Sequence, residues 1–231
     1  MKCNCLIFDA GPLINFSMNG ILYLLEGLKE NFKGDFLITK EVKKEVIDKP
    51  LGIKRFELEA LRLERLYKKG VIKLADLSKG EVDELREIRD GIINKTNNTF
   101  RTKKKYLHII DKGEAAAFAL STIMKRKCGL DVPIVVDERT ARVLSENPGN
   151  MRKLFEKKFH TSVSADKGNY DLLRDFKIIR STELVYIAYR KGLFKLKDPR
   201  TLEAMLYGVK FKGCSISEKE VRQLIEMGKV V

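Results

Sequence analysis

The chain has 231 residues, 44% of them hydrophobic, and carries 46 Lys and Arg against 32 Asp and Glu, a formal charge of +14. That length buries a sizeable core as one large domain, or one domain with an appendage. No apolar run approaches the roughly 20 residues that span a bilayer, and no basic stretch with an apolar core and cleavage site opens the chain. A cytoplasmic protein without a membrane partner is expected. The charge favours polyanions through counterion release, nucleic acid first. A generally ion-pair-rich composition, as in thermophiles, is the competing explanation.

In chain order, the apolar run Cys5-Leu6-Ile7-Phe8 reads as a buried strand that ends on Asp9. Gly11-Pro12 turns it into a helix over 13–28 that stops near Gly27. A short strand over 34–39 leads through the cap Thr39 into a helix over 40–49, where Val42 and Val46 recur at i, i+4 and Pro50 ends the run. An amphipathic helix over 53–68 and a strand over 70–74 follow. Ser78 and Glu81 have capping-box spacing before Val82, Leu85, Ile88 and Ile92. The stretch 94–105, with Lys103-Lys104-Lys105, reads as a basic loop.

Gly113 opens a small-residue helix that can pack closely on a sheet. Pro133-Ile134-Val135-Val136 has the length and apolarity of a central strand, closed by Asp137-Glu138. A helix over 139–147 stops at Pro148-Gly149. The stretch 149–172 is an excursion, helical around 151–159. A last strand over 176–180 leads through Ser181-Thr182 to a helix over 184–193. Beyond it come a helix start at Pro199 and a final helix capped by Ser217 and Glu220 and closed by Gly228. Strands alternating with helices predict an α/β fold, a three-layer α/β/α sandwich with a mostly parallel central sheet.

The four cysteines, Cys3, Cys5, Cys128 and Cys214, form no zinc pattern. Cys3 and Cys5 alternate along a strand and share a face, and buried reduced thiols are the expectation. His108 and His160 have no Ser-His-Asp spacing around them.

Acidic residues carry the chemistry. Asp9 and Asp137 end strands, and in an open parallel sheet ligands bind outside the carboxyl ends of the strands. Glu114 lies in the first turn of its helix, and Glu45 lies in the helix after the second strand. Carboxylates meeting at that edge would repel unless a cation neutralised them, and Mg²⁺ suits an all-oxygen site. Each also has a structural alternative. Asp9 could brace its turn, Glu45 could pair with Lys49, Glu114 could close a capping box with Asp111, and Asp137 could favour a helix start. Thr182 could cap its helix or hold a water at the metal edge; Asn15 and Ser17 are too generic to assign.

Four segments together resemble PIN-domain nucleases. They are Phe8-Asp9-Ala10-Gly11-Pro12-Leu13-Ile14, Glu41-Val42-Lys43-Lys44-Glu45-Val46, Lys112-Gly113-Glu114-Ala115-Ala116-Ala117-Phe118-Ala119-Leu120 and Val135-Val136-Asp137-Glu138-Arg139-Thr140-Ala141-Arg142. The segment from Phe176 through Ser181-Thr182 to Gly192-Leu193 is similar to the family's last strand and helix. Position 138 is Glu where a second Asp is common. The resemblance implies a PIN-like nuclease domain over 1–195, with basic inserts near 94–110 and 148–173, then a C-terminal helical extension over 196–231.

It further implies a metal-dependent endoribonuclease acting on single-stranded RNA. Asp9, Glu114, Asp137 and Glu138 would hold Mg²⁺ or Mn²⁺, and Glu45 would complete the catalytic set. Lys103, Lys104, Lys105, Arg152, Lys153, Lys157 and Lys158 would track the nucleic-acid backbone, with Phe100, Tyr106 or Phe159 stacking on bases. RNA is favoured over DNA, and homodimerisation is left open. The alternative is a non-cleaving nucleic-acid-binding module within an RNA-processing assembly. An aspartyl-phosphate phosphatase fits poorly, because Gly11 stands where its second acid belongs. A dinucleotide-binding fold lacks its glycine fingerprint.

Overall fold

A computed structural model describes residues 4–174 and 176–229; Cys3, and with it the strand face it was expected to share with Cys5, lies outside them. The strands are β1 (Cys5–Phe8), β2 (Asp35–Ile38), β3 (Ile72–Leu74), β4 (Phe100–Arg101), β5 (Ile134–Val135), β6 (Ser164–Ala165) and β7 (Ile178–Ile179). Five of them form one all-parallel sheet in the order β3-β2-β1-β5-β7, so their carboxyl ends share one edge. Helices cover both faces, giving the expected three-layer α/β/α sandwich.

Central β1 shows why. Leu6 and Phe8 point into one core while Cys5 and Ile7 point into the other, as the two-residue period of a strand requires. The first core takes α1 (Ala10–Met18), α2 (Tyr23–Phe32), α3 (Lys40–Lys43) and α4 (Glu57–Lys68). The second takes α5 (Lys79–Asn97), α6 (Lys112–Cys128), α7 (Arg139–Glu146) and α8 (Pro148–Phe159). In α6 the fully buried Ala115, Ala116, Ala117 and Ala119 let the helix axis approach the sheet closely.

Several expected helices differ in extent. The single helix over 13–28 is two, because Asn19 caps α1 by donating to the Asn15 carbonyl and Gly20 takes a left-handed conformation (φ 67°). After α3 the backbone widens into a π-turn, Lys44–Asp48. Residues 94–97, assigned to a basic loop, complete α5. Pro148 does more than end α7: it occupies the first turn of α8, where its missing N–H costs nothing. Gly228 lies inside the last helix rather than closing it, and a Cβ there would fall 2.4 Å from Leu202 Cδ2.

The two inserts meet. β4 pairs antiparallel with β6, so segments far apart in sequence form one subassembly beside the sheet. Phe100 is its centre, fully buried, with its ring 5.5 Å from that of Phe155 and 5.9 Å from that of Tyr170. It is therefore not available to stack on a base.

The C-terminal segment belongs to the first core. After α9 (Ser181–Arg190), helices α10 (Thr201–Phe211) and α11 (Glu218–Lys229) bury Leu202, Leu206, Val209 and Val221 there. Glu220 accepts hydrogen bonds from Arg180 (2.9 Å) and Arg142 (3.1 Å), tying α11 to the end of β7 and to α7. Despite some burial, the bonds from Ser217 and Arg180 hold its carboxyl down to about 2. Among the described residues no helix is long and apolar enough to cross a membrane.

Phe100→Ala is expected to cost about 3–5 kcal/mol in chemical denaturation, the usual penalty for an aromatic truncated in a core. Hydrogen exchange should then rise in both inserts together; a change confined to one would contradict their mutual packing.

Candidate functional site

The shared carboxyl edge of the sheet opens into a cavity of about 500 Å³. Asp9, Glu45, Asp111, Glu114, Asp137 and Glu138 all line it.

Asp9 follows β1 and caps α1. Its N–H donates to the Val135 carbonyl at 3.0 Å, and its Oδ2 accepts the Gly11 N–H at 3.5 Å. The register Phe8↔Val135 sets Asp137 on the neighbouring strand just beyond it. Asp137 is held on three sides: Oδ1 accepts the Ser181 N–H at 2.8 Å, and Oδ2 accepts the Ser181 hydroxyl at 2.6 Å and Asn15 Nδ2 at 3.0 Å. Its carbonyl accepts the Ser215 N–H.

Glu114 enters from the first turn of α6. Its Oε2 accepts the Asp111 N–H at 3.0 Å, so the helix-capping alternative is real for one oxygen. The other, Oε1, is buried with no hydrogen-bond partner. Gly113 keeps the space between two of the acids open: a Cβ there would lie 3.3 Å from Glu45 Oε2 and 3.7 Å from Asp9 Oδ1. Glu45 projects from the π-turn, a feature frequent at functional sites, and is exposed. Exposed Glu138 precedes α7 and accepts a hydrogen bond from the Thr140 hydroxyl.

Electrostatics record the crowding. Burial pushes Asp9 up to about 7, aided by Glu45 and Asp137 and opposed by the Ala10 and Gly11 N–H groups. Glu114 rises to about 8, through burial first, then Asp9, Glu138 and Asp111, against the Asp111 N–H. Glu45 is raised by the protein flanking it and by Asp111; Lys49, its alternative partner, acts only as a weaker opposing charge. In each case burial is the larger cause and the neighbouring carboxylates add to it.

Among the described residues, no three His, Cys, Asp or Glu side chains stand as a ready-made ligand set for a metal ion. The donor chemistry still fits a hard divalent cation. It is all oxygen, it includes the orphaned Glu114 Oε1, and Gly113 leaves a gap beside two carboxylates that a side chain would fill.

The predicted basic residues divide. Lys158 lines the acid cavity. Lys103, Lys104 and Lys105 line a separate cavity that shares His108 with it. Arg152 is ion-paired with Glu156 at 3.1 Å, and Lys153 and Lys157 are exposed on α8 and line neither cavity.

Residues that the sequence did not single out also matter. Asn15 holds Asp137; a polar residue amid the apolar α1 was the signal. Ser181 holds it too, whereas its neighbour Thr182 turns towards Cys214 Sγ (3.8 Å). Burial and Asp137 push the Cys214 thiol up to about 12, so it stays neutral beside the site. Lys212 reaches the cavity from the C-terminal segment, with no local signal. His108 sits at the rim with Nε2 2.7 Å from Asp111 Oδ1.

Compared with protein-family models, curated proteins and solved structures, the chain matches none.

Asp9 and Glu114 ionise near their ordinary values when unfolded and near 7 and 8 when folded, so the folded chain holds extra protons between. Their contribution is therefore favourable at low pH and lost as pH rises through about 7 to 8. In metal-free thermal melts, Asp9→Asn should gain on the wild type as pH rises from 5 to 8.5, by about 2–4 °C per kcal/mol relieved. Mn²⁺ should raise the wild-type Tm more at pH 8.5 than at pH 5.5. Parallel melting curves for wild type and variant across this range would refute the crowding.

Proposed function

We propose that the chain is a divalent-metal-dependent endoribonuclease of the PIN type, hydrolysing phosphodiester bonds in single-stranded RNA. The observation that carries this reading is the gathering of Asp9, Glu45, Glu114, Asp137 and Glu138 around one cavity at the carboxyl edge of a parallel sheet. RNA is preferred to DNA on the sequence resemblance.

Asp9, Glu114, Asp137 and Glu138 would hold Mg²⁺ or Mn²⁺, which supplies an activated water and charge neutralisation at the phosphate. The chain's own residues do the rest. Asn15 and Ser181 fix the Asp137 carboxylate, and the Asp111 N–H fixes one oxygen of Glu114, so neither must be ordered as the substrate arrives. Glu45, exposed in the cavity with its pKa raised, accepts the proton of the attacking water; a base poised nearer neutrality does this best. Lys158 and Lys212 bind the phosphate oxygens and offset the repulsion that bare carboxylates would exert on a polyanion.

The second reading is a nucleic-acid-binding module that does not cleave, acting within an RNA-processing assembly. What favours it is the lack of a ready-made ligand triad among the described residues. Calorimetric titration with Mn²⁺ separates the two: a nuclease shows a site that Asp9→Asn removes, and a binding module need not.

Asp9→Asn and Glu114→Gln should each lower Mn²⁺-dependent cleavage of single-stranded RNA by about a hundredfold or more, with circular dichroism unchanged. Lys212→Ala should raise KM with little effect on kcat, the mark of lost uniform binding. Undiminished cleavage by both acid variants would remove the assignment.

A further inference from the structure

The paired inserts build a second cavity, of about 610 Å³, against the acid cavity. Two features join them. His108 lines both, and adjacent residues Lys158 and Phe159 of α8 line one each. The second cavity is basic and aromatic, lined by Lys103, Lys104 and Lys105 with the rings of Tyr106 and Phe159, and by no acidic side chain among the described residues.

Neither ring belongs to a core. Tyr106 is 49% exposed and Phe159 44%, whereas Phe100 and Phe155 behind them are buried. Each exposed ring has a cation near it: the Arg101 guanidinium lies 5.3 Å from the Tyr106 ring, and Lys158 Nζ lies 5.6 Å from that of Phe159. None of the three lysines forms an ion pair among the described residues, so their charge is open to a ligand. Half-exposed rings, that of Phe159 with one face stacked on Phe155 at 5.9 Å, beside unneutralised ammonium groups match an unpaired nucleotide, with its flat base and its charged phosphate. The pairing of β4 with β6 fixes the two walls relative to each other although they are remote in sequence.

We propose that this second cavity is a nucleotide subsite. It takes one unpaired residue of an RNA strand next to the phosphodiester held at the acids, its base against Tyr106 and Phe159 and its phosphate against Lys103, Lys104 and Lys105. The subsite rests on the reading of the acid cavity as a phosphodiester site, and it makes the inserts the source of single-strand selectivity. A base within a duplex is stacked and paired, and cannot present its face to these rings.

The test is binding of a fluorescein-labelled single-stranded RNA decamer, followed by anisotropy in EDTA, so that it reads the subsite whether or not the acids cleave. Tyr106→Ala and Phe159→Ala should each weaken binding about tenfold. Duplex RNA of the same sequence should bind each of them as it binds the wild type. Tyr106→Phe and Phe159→Tyr, which keep the rings, should bind the single strand like the wild type, which separates stacking from damage to the fold. Replacing Lys103, Lys104 and Lys105 together by alanine should flatten the dependence of log K on log salt by about 0.7, the value for one lost phosphate contact on a single strand. Unchanged single-strand affinity in both alanine variants, or equal losses for single strand and duplex, overturns the subsite. The expected binding pattern in a protein that cleaves nothing with Mn²⁺ keeps the subsite and removes only the nuclease reading.

Discussion

Repulsion among carboxylates at the carboxyl edge of the sheet is the constraint on which the rest of the site depends. An all-parallel sheet brings all its strand ends to one side, so an Asp after β1 and an Asp after β5 must become neighbours. Burial then makes the proximity costly, and Asp9 and Glu114 respond with pKa values displaced to about 7 and 8. Hydrogen bonds relieve part of the cost at Asp137, through Asn15 and Ser181, and at one oxygen of Glu114. The remaining oxygen of Glu114 has no partner. A buried acceptor left unpaired costs on the order of 1–3 kcal/mol.

The elements around this edge serve it from three directions. The π-turn after α3 presents Glu45, and the lack of a side chain at Gly113 preserves the gap between Glu45 and Asp9. On another side, the inserts pair through β4 and β6 and bring Lys158 to the acids. On a third, the chain between α10 and α11 supplies Lys212 and Gly213 to the cavity wall and the Ser215 N–H to Asp137. Asn15 of α1 ties the acid edge to the C-terminal segment, donating to Asp137 and to the Val209 carbonyl of α10. The C-terminal helices are thus part of the scaffold that orients an acid at the site.

Much of this is legible in the sequence. Buried strands appear as uninterrupted apolar runs, so Cys5-Leu6-Ile7-Phe8 and Ile134-Val135-Val136 could be located, and with them the acids at their ends. The capping box at Ser78 and Glu81 formed as its spacing implied. Less legible were features set by single backbone conformations. The left-handed turn at Gly20 divides a continuous apolar pattern, and Pro148 opens α8 in addition to stopping α7. At Gly228 the side chain of Leu202, a residue remote in sequence, occupies the space a Cβ would need, and no local pattern carries that.

What the amino-acid sequence alone determined was the α/β alternation, the parallel sheet and the acids at its strand ends. Each of these follows from local periodicity and from which residues tolerate burial. Tertiary structure alone decided that the two inserts pair, that Phe100 is core while Tyr106 and Phe159 are surface, and that Lys212 and His108 join the site. It also decided that Ser181, and not Thr182, grips Asp137. These depend on contacts between segments far apart in the chain. Such contacts are fixed by how whole layers pack and leave no periodic trace in the residues that make them.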